Sequence, residues 1–365
     1  MEFDKYSRAE VMERLFAGWN PRQETENIPL EEAKGRISAE TIRARFTLPL
    51  VRSSAVDGIA VRSAVFSSLP DTARWKTGED YVRADTGDDF DDRFDAVIMI
   101  EDVTFNNEGG FTLSPGLKIL PGMNIHERGS AVAEGEAILE GGLVIRSCDL
   151  GALARGGIWE APVVKKPVVS FIPTGNELIP PGTEPQRGEN IDTNSIMVRY
   201  MLLDMGAEPR IFPIHRDDPP RLKASLLEAL AASDAVIING GSSKGADDYN
   251  ARLLAELGDI VCHGVHAAPG RPLCIAVIDN KPVINVPGPM LASYFTMDWC
   301  VRGVVCRFLG IPMPVRPLVR AVLRGESPRR GLLDGFEFFS RMILAPSSCG
   351  ANYEARPVPL ERVPG

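Results

Sequence analysis

Carboxylate side chains recur directly after apolar, strand-like runs in the second half of the chain. Glu177 follows "VVSFIPTG", Asp217 and Asp218 follow "PRIFPI", and Asp247 and Asp248 follow "DAVIIN" and a glycine-rich loop. Oxygen ligands gathered beside glycine loops suit Mg²⁺, which often bridges from carboxylates to substrate phosphates. The pattern predicts a magnesium site, although Asp218 and one of Asp247 or Asp248 are equally well placed as helix caps.

The glycine-rich loop "GGSSKG", residues 240–245, follows a strand-like run and precedes a helical one. Its backbone N–H groups and the helix N-terminus would form a cradle for an anion, and Gly240 and Gly241 permit close approach of a ligand. The GK[ST] ending of a Walker loop is absent, so an ordinary tight connection is the alternative. His263 and His266, three residues apart on a strand, point to opposite faces and are not expected to share a metal ion.

The elements that must position these groups alternate between strand and helix from Lys166 to Gly310. "DTNSIMVRYMLLDMG" predicts a helix with Ile196, Tyr200 and Leu203 on one face, and "DDPPRLKASLLEALAAS" predicts a helix capped by Asp218. Apolar strands alternating with helices predict a parallel, doubly wound α/β sheet. In such a sheet the ligand site lies beyond the carboxyl ends of the strands, where the acids and the glycine loop fall.

The other segments predict three further domains around this α/β domain, which spans residues 167–310. Residues 1–45 and 122–166 are expected to form a discontinuous N-terminal linker domain, with a capping box of Ser7 and Glu10 and a second helical pattern in "PLEEAKGRISAETI". Residues 46–121 show short runs typical of a small β-rich domain, and residues 311–365 predict a short C-terminal β domain.

Composition limits the classes of function. The chain has 365 residues, 44% hydrophobic and 24% charged, and no apolar run approaches the roughly 18 residues of a membrane span. A net charge of −9 argues against nonspecific nucleic-acid binding and favours a small ligand or a protein partner. The acidic N-terminal sequence does not resemble a secretory signal, and the six cysteines form no CxxC pair, so we expect reduced thiols and a cytoplasmic protein.

Eight short motifs occur in the order and spacing of the molybdopterin molybdenumtransferase family, the MoeA and gephyrin E-domain proteins. They are "SSAVDGIAVRS", "TGDDFDDRFDAVIMIED", "GMNIHERG", "PTGNEL", "DTN", "GGSSKGADDY", "APGRP" and "VPGP". The resemblance implies an elongated four-domain homodimer whose α/β domain resembles the molybdopterin adenylyltransferase fold. It also implies that molybdate is inserted into adenylylated molybdopterin and that AMP is released with the help of Mg²⁺.

The same resemblance implies roles for individual residues. The candidate catalytic residues are Asp57, Thr86, Glu177, Asp217 and Asp248, of which the last three would hold the metal and Asp57 would reach the site across the dimer. The candidate binding residues are Thr174, Gly175, Gly240, Gly241, Ser242, Ser243, Lys244, Arg271 and Pro287.

The sequence also departs from the family pattern. Ala131 and Asn176 stand where the family pattern has aspartate, and Gly264 and Ala268 stand where it has lysine. The family motif "PGNPVS" is replaced by "PGPMLA". The C-terminal segment also resembles a shortened version of the family's last domain. Lys244 stands where an apolar residue is usual, so one hypothesis is that its ammonium replaces a lost lysine, and the alternative is a solvent-facing loop tip.

The sequence leaves three functions open. The first is a molybdenumtransferase, and the second is a catalytically impaired paralogue that binds or carries molybdopterin or a related nucleotide for a molybdoenzyme. The third is a related transferase for another oxyanion such as tungstate. Beyond a homodimer and a small-molecule substrate, the partner predicted is a molybdopterin adenylyltransferase or a molybdoenzyme, with no nucleic acid and no membrane.

Overall fold

The chain forms two compact units in the computed structural model, which describes residues 3–241, 249–325, 335–347 and 353–358. One unit comprises Met1–Thr25 and Val164–Gly365, and the other comprises Glu26–Val163. The strands Thr25–Pro29 and Glu160–Val164 lie where the chain passes between them. Division into four domains is finer than this and stays a prediction. No helix in the described ranges is both long and apolar enough to cross a membrane.

A six-stranded central sheet organises the first unit. Its strands, numbered within this sheet, are β1 (Val168–Pro173), β2 (Glu208–Ile211), β3 (Ala235–Asn239), β4 (Asp259–His263), β5 (Cys274–Ile278) and β6 (Lys281–Val286). They lie side by side in the order β2-β1-β3-β6-β5-β4. The neighbours β2, β1, β3 and β6 are parallel, as expected, whereas β5 is antiparallel to both β6 and β4.

The antiparallel strand has a local cause in the link between β5 and β6. Only Asp279 and Asn280 separate the two strands, and their φ angles are +48° and +58°. Two successive left-handed residues characterise the type I′ turn, whose twist matches that of a tight hairpin. The expectation of a wholly parallel sheet is therefore wrong for β5, although the α/β architecture is confirmed.

Helices pack on the central sheet of the first unit. Numbered within this unit, they are α1 (Arg8–Gly18), α2 (Asn194–Met205), α3 (Pro219–Ala232), α4 (Tyr249–Leu257), α5 (Met290–Thr296) and α6 (Arg302–Leu309), with the π-helical turn Met297–Val301 joining the last two. Leu222, Leu226 and Leu230 of α3 are buried against the sheet, as their spacing predicts. Asp218 caps α3 by accepting from the backbone N–H of Arg221 at 3.2 Å.

Helix α2 presents its predicted apolar face to solvent. Ile196, Tyr200 and Leu203 share a face but are 50%, 61% and 47% exposed. The core face of α2 carries Val198 and Leu202 instead, both fully buried. Periodicity alone identified the helix but could not decide which of two apolar faces packs on the sheet.

Short strands dominate the second unit. The central group is a three-stranded antiparallel sheet of Tyr81–Ala84, Gly58–Val61 and Ala96–Met99. The remaining pairs are Ser53–Ser54 with Ile125–His126, Val103–Phe105 with Phe111–Leu113, and Ile42–Arg43 with Ala137–Leu139. One α-helix, Ser147–Arg155, lies in this unit. The β-rich character of this part of the sequence is confirmed.

The predictions for the N-terminal segment have mixed outcomes. The capping box of Ser7 and Glu10 is present at the start of α1. The helix predicted from "PLEEAKGRISAETI" is wrong, since only Leu30–Glu32 forms a short 3₁₀ turn there. Gly35 follows with a φ of +77°, a left-handed conformation that ends helical geometry.

Near the C-terminus, β-structure is present as expected. Ala321–Leu323, Tyr353–Pro357 and Met342–Pro346 form a three-stranded sheet. Glu337–Phe338 pairs with Ala267–Ala268, which belongs to the "HAAPGRP" segment of the α/β region.

Candidate active site

A cavity of about 830 Å³ opens at the carboxyl ends of β1, β2, β3 and β6. This is where a doubly wound sheet places its ligand site, as the sequence predicts. The lining includes these described residues: Thr174, Gly175, Glu177, Asn190, Asp192, Asn194, Arg216, Asp217, Asp218, Asn239, Gly240, Gly241, Tyr249, Asn250, Arg252, Gly288, Pro289 and Met290. Six of the predicted site residues therefore meet in one cavity: Thr174, Gly175, Glu177, Asp217, Gly240 and Gly241.

Two glycines let the loops of this cavity approach one another closely. Gly240 has a φ of +107°, and a Cβ there would lie 2.5 Å from the carbonyl oxygen of Thr174. The Thr174 backbone N–H and hydroxyl both donate to the carbonyl of Asn239, at 2.9 and 3.0 Å. A Cβ on Gly175 would lie 2.8 Å from either carboxylate oxygen of Glu177, so the carboxylate lies against bare backbone. No other residue type fits these positions without displacement.

Three helices begin at the cavity wall. Asn194 starts α2, Pro219 starts α3 and Tyr249 starts α4, and all three residues line the cavity. Helix N-termini carry unpaired N–H groups and the positive end of the helix dipole. Their convergence favours an anionic ligand such as a phosphate ester, although Asp192 and Asp218 already accept one N–H each at the starts of α2 and α3.

The four acids of the described lining fall into two classes. Asp192 accepts from the backbone N–H of Ser195 at 3.0 Å, and Asp218 is occupied as a helix cap that also pairs with Arg221 at 3.3 Å. Within the described residues, the carboxylates of Glu177 and Asp217 make no hydrogen bond or ion pair. Glu177 and Asp217 are therefore the carboxylates available to a metal ion. Asp218, for which the sequence left open a role as metal ligand or as helix cap, is a helix cap.

The third predicted metal ligand, Asp248, lies outside the described residues, together with Asp247, Ser242, Ser243 and Lys244. No group of three metal-ligating side chains occurs in the parts of the chain that are described. The three-carboxylate magnesium site therefore stays a prediction.

Asn176, which stands where the resemblance described above implies an aspartate, has a structural task at this site. Its Oδ1 accepts from the backbone N–H of Asp217 at 3.1 Å. The bond ties the loop after β1 to the loop after β2, and so holds Asp217 in the cavity that Glu177 lines. A neutral amide performs this task without adding a further negative charge beside Glu177.

Four buried asparagines form a polar layer beneath the cavity, and no sequence pattern predicted this layer. Asn194, Asn239, Asn250 and Asn285 are each at most 7% exposed. Asn194 Nδ2 donates to Asn239 Oδ1 at 2.9 Å and to the Gly288 carbonyl at 2.7 Å, and Asn239 Nδ2 donates to the Pro287 carbonyl at 2.8 Å. Asn250 Nδ2 donates to the Gly240 carbonyl at 3.0 Å. The layer holds the loop at Gly240 and the loop at Pro287 and Gly288. The sequence signal for it was an asparagine at the end of "DAVIIN" and another within "VINV".

Two arginines of the lining were also missed. Arg216 immediately precedes the acidic pair Asp217 and Asp218, and Arg252 lies in the first turn of α4. Their positions at the ends of a strand and at the start of a helix were the signal that could have found them.

Pro287 and Arg271 are not among the described residues that line the cavity. Pro287 is buried behind it, where its carbonyl accepts from Asn239. The guanidinium of Arg271 lies 5.8 Å from the ring centroid of Phe3. Phe3 also covers Gly264, where a Cβ would lie 2.7 Å from the Phe3 Cβ. The N-terminal segment thus occupies the space beside Gly264, one of the two positions where the family pattern has lysine.

The remaining predicted residues, Asp57 and Thr86, meet in the second unit. Asp57 Oδ1 accepts from the backbone N–H and from the hydroxyl of Thr86, each at 2.7 Å. These hydrogen bonds, aided by the positive charge of Arg83, lower the pKa of the Asp57 carboxyl below its usual value. The side chain is therefore an exposed, ionised carboxylate held in one orientation.

Comparison with known proteins gives consistent matches along the chain. Residues 6–157 match the MoeA N-terminal region (domains I and II), and residues 170–306 match a family described as a probable molybdopterin binding domain. A protein of Methanocaldococcus jannaschii named for molybdopterin biosynthesis is 31% identical over 84% of this chain and 80% of its own length. The molybdopterin molybdenumtransferase of Haemophilus influenzae is 29% identical over 83% of this chain and 77% of its own length.

A solved structure extends the likeness to the fold. The crystal structure of the molybdopterin biosynthesis MoeA protein of Pyrococcus horikoshii superimposes with a TM-score of 0.75 at 26% identity. The match covers 99% of this chain and 91% of the other. Both the α/β region that carries the cavity and the β-rich region that carries Asp57 are thus shared with that protein.

Proposed function

The chain belongs to the MoeA family of molybdenum cofactor biosynthesis proteins, and we propose that it inserts molybdate into adenylylated molybdopterin and releases AMP. The observation that carries the proposal is the cavity at the sheet's carboxyl edge, in the segment that matches a molybdopterin binding domain. It combines glycine loops and helix N-termini, which suit phosphate groups, with two carboxylates that make no hydrogen bond or ion pair with any other described side chain.

Mg²⁺ fits the donor set of this cavity. Glu177 and Asp217 supply the hard oxygen ligands that Mg²⁺ prefers, and Asp248, beyond the described residues, is the proposed third ligand. The ion would supply charge neutralisation at the phosphate oxygens during cleavage. The chain's own residues orient the substrate. The loops at Gly175 and Gly240 admit its phosphates, and the buried asparagine layer holds the Gly240 loop and the loop at Pro287 and Gly288 in place.

We also propose that the protein acts as a homodimer, with Asp57 and Thr86 of one subunit completing the site of its partner. The support is the family membership and the fixed, ionised state of Asp57. If Asp57 had no role in the partner's site, its exposed carboxylate and two hydrogen bonds would only stabilise the local bend of the chain.

The test is to supply purified protein with adenylylated molybdopterin, Mg²⁺ and molybdate, and to measure AMP by chromatography. The proposal expects AMP release that requires molybdate and that Glu177→Gln lowers at least tenfold, whereas Arg221→Gln, which changes a residue outside the cavity, leaves it unchanged. Tungstate in place of molybdate tests the choice of anion. Tight binding of the nucleotide with no molybdate-dependent AMP would contradict the proposal.

That last outcome would support the second candidate, a protein that binds or carries molybdopterin. The observation that favours it is the loss of cationic side chains beside the "APGRP" loop, where Gly264 is covered by Phe3 and Arg271 lies against the same ring.

A further inference from the structure

We infer that Arg216 and Arg252 bind the two phosphate groups of a diphosphate from opposite sides of the Gly175 loop. The inference rests on the proposed function, because adenylylated molybdopterin joins its two halves through a diphosphate. It goes further by naming the cationic side chains that select this group and by placing them away from the "APGRP" loop.

The order of strands in the sheet gives the placement. Arg216 follows β2, Gly175 follows β1, and Arg252 lies in the helix that follows β3, while β2 and β3 are the two neighbours of β1. Adjacent strands are about 4.8 Å apart, so the ends of β2 and β3 are separated by about 10 Å. Two long side chains that line one cavity can bracket a diphosphate across that span.

The backbone beside Arg216 is held at both ends. The N–H of His215 donates to the Pro173 carbonyl at 2.8 Å, and the Gly175 N–H donates to the His215 carbonyl at 2.9 Å. On the other side, the Asp218 N–H donates to the Arg216 carbonyl at 2.6 Å. Arg216 therefore projects from a segment that is fixed to the same loop that carries Glu177.

Arg252 is placed by α4 and by the buried asparagine layer. Asn250, two residues earlier, is 3% exposed and donates through Nδ2 to the Gly240 carbonyl. This contact couples the first turn of α4 to the Gly240 loop. The guanidinium of Arg252 thus has a defined origin on the side of the cavity opposite to Arg216.

Asn194 gives an independent indication of a ligand in this cavity. The residue is 7% exposed, and its Nδ2 is committed to Asn239 and Gly288. Its Oδ1 is therefore fixed as an acceptor, and it is buried with no hydrogen-bond partner among the residues that the structure describes. Leaving such an acceptor unpaired costs about 1–3 kcal/mol, so its retention in the cavity wall is explained by a donor on the ligand. That donor must belong to a part of the ligand outside the diphosphate, because ionised phosphate groups only accept hydrogen bonds.

The chemistry of arginine suits this role better than that of lysine. A guanidinium is always protonated at physiological pH and donates two parallel hydrogen bonds to a phosphate. Two guanidinium groups match the two phosphates of a diphosphate. A single phosphate could contact both groups only with poorly aligned hydrogen bonds. The carboxylates of Glu177 and Asp217 would repel either anion, so binding should also require Mg²⁺.

The test uses inorganic pyrophosphate and inorganic phosphate as probes, with the full chain and Mg²⁺, in titration calorimetry at low and at high salt. We expect pyrophosphate to bind more tightly than phosphate. Arg216→Gln and Arg252→Gln should each weaken pyrophosphate binding by about tenfold or more, the effect of one lost charged hydrogen bond. Arg221→Gln is the matched control, since Arg221 pairs with Asp218 but does not line the cavity.

Wild-type protein that does not prefer pyrophosphate, or folded Arg216 and Arg252 variants that bind it as the wild type does, would overturn the inference. Thermal unfolding of each variant shows whether it is folded, and Lys replacements at the same positions should restore only part of the affinity. If pyrophosphate binds through the arginines but no molybdate-dependent AMP appears, the proposed function fails and the inference stands. If AMP is released and both variants bind pyrophosphate normally, the inference alone fails.

Discussion

Thr86 donates twice to one oxygen of Asp57, through its backbone N–H and through its hydroxyl, each over 2.7 Å. The chain also bends at residues 55–57, just before the strand Gly58–Val61, and the Asp57 carbonyl accepts from the Ile100 N–H at 2.9 Å. Asp57 is thus part of this bend and, at the same time, an oriented carboxylate.

The lowered pKa of Asp57 predicts a pH-dependent effect of Asp57→Asn on stability. Because the folded-state pKa is below the unfolded value of about 4, ionised Asp57 stabilises the fold above that pH, and the contribution is lost as pH falls through the folded pKa. The variant should therefore be less stable than the wild type between about pH 5 and 7, and the difference should shrink below about pH 4. Urea unfolding at several pH values measures it.

Thr86→Val provides the control for this effect. It removes the hydroxyl but keeps the backbone N–H, so it should reproduce part of the pH-dependent difference. A difference between wild type and Asp57→Asn that stays constant from pH 3 to pH 7 would show that the hydrogen bonds do not favour the ionised form.

Gly264→Lys, which restores a residue type of the family pattern, should destabilise this protein. Gly264 has a φ of +100°, which costs other residues about 1–2 kcal/mol, and the Phe3 side chain occupies the space of a Cβ. Thermal unfolding should show a loss of at least about 1 kcal/mol, and adding Phe3→Ala should recover part of it. Equal stability of Gly264→Lys and wild type would mean that the N-terminal segment moves aside freely.

Local sequence patterns predicted the architecture well because strand and helix formation depend largely on neighbouring residues. The apolar strands and the Asp218 cap follow from periodicity and capping, and both are confirmed. The direction of β5 depends on a two-residue turn at Asp279 and Asn280. The lengths of the apolar segments in the sequence do not reveal this turn. The buried face of α2 depended on which of two apolar faces meets the sheet, which is decided by tertiary packing.

The cavity was predictable in position but not in all of its residues. Acids and glycines after strands indicated the sheet edge, whereas the asparagine layer depends on contacts between residues far apart in sequence, such as Asn194 and Asn239. Arg216 and Arg252 carry no motif, so only their shared cavity identifies them. The approach of Phe3 to Gly264 brings together two parts of the sequence that lie far apart along the chain and that no local pattern connects.

Asn239→Ala should weaken both the fold and ligand binding. Removing this amide leaves the Pro287 carbonyl and one donor of Asn194 without their partners beneath the cavity. Each buried group left unsatisfied costs about 1–3 kcal/mol, so we expect a loss in that range or above. Denaturant unfolding measures the loss, and Asn190→Ala, at an exposed position of the cavity lining, should cost less than about 0.5 kcal/mol. Similar losses for the two variants would contradict the structural role of the layer.

Thiol reactivity should distinguish Cys148 from the buried cysteines. Cys148 is exposed, whereas Cys262, Cys274, Cys300 and Cys306 are buried, and burial raises the pKa of the Cys262 thiol to about 12. In a Cys349→Ser background, native protein at pH 8 should react with one equivalent of Ellman's reagent, and urea-unfolded protein with five, because only thiolates react. Cys148→Ser removes the native reaction; rapid reaction of further thiols in folded protein would contradict the packing around the sheet.

Removal of single carboxylates should separate metal ligands from helix caps. Glu177→Gln and Asp217→Asn each delete one charge that no other described side chain neutralises, so the Mg²⁺ concentration needed for half-maximal AMP release should rise about tenfold or more. Asp218→Asn is the matched control, because asparagine is as good an N-cap as aspartate and should leave the Mg²⁺ requirement unchanged. Binding of Mn²⁺, followed by the loss of its free electron paramagnetic resonance signal, gives a readout without turnover. If Asp218→Asn weakens Mn²⁺ binding as much as Asp217→Asn does, the metal lies nearer the start of α3 than we propose.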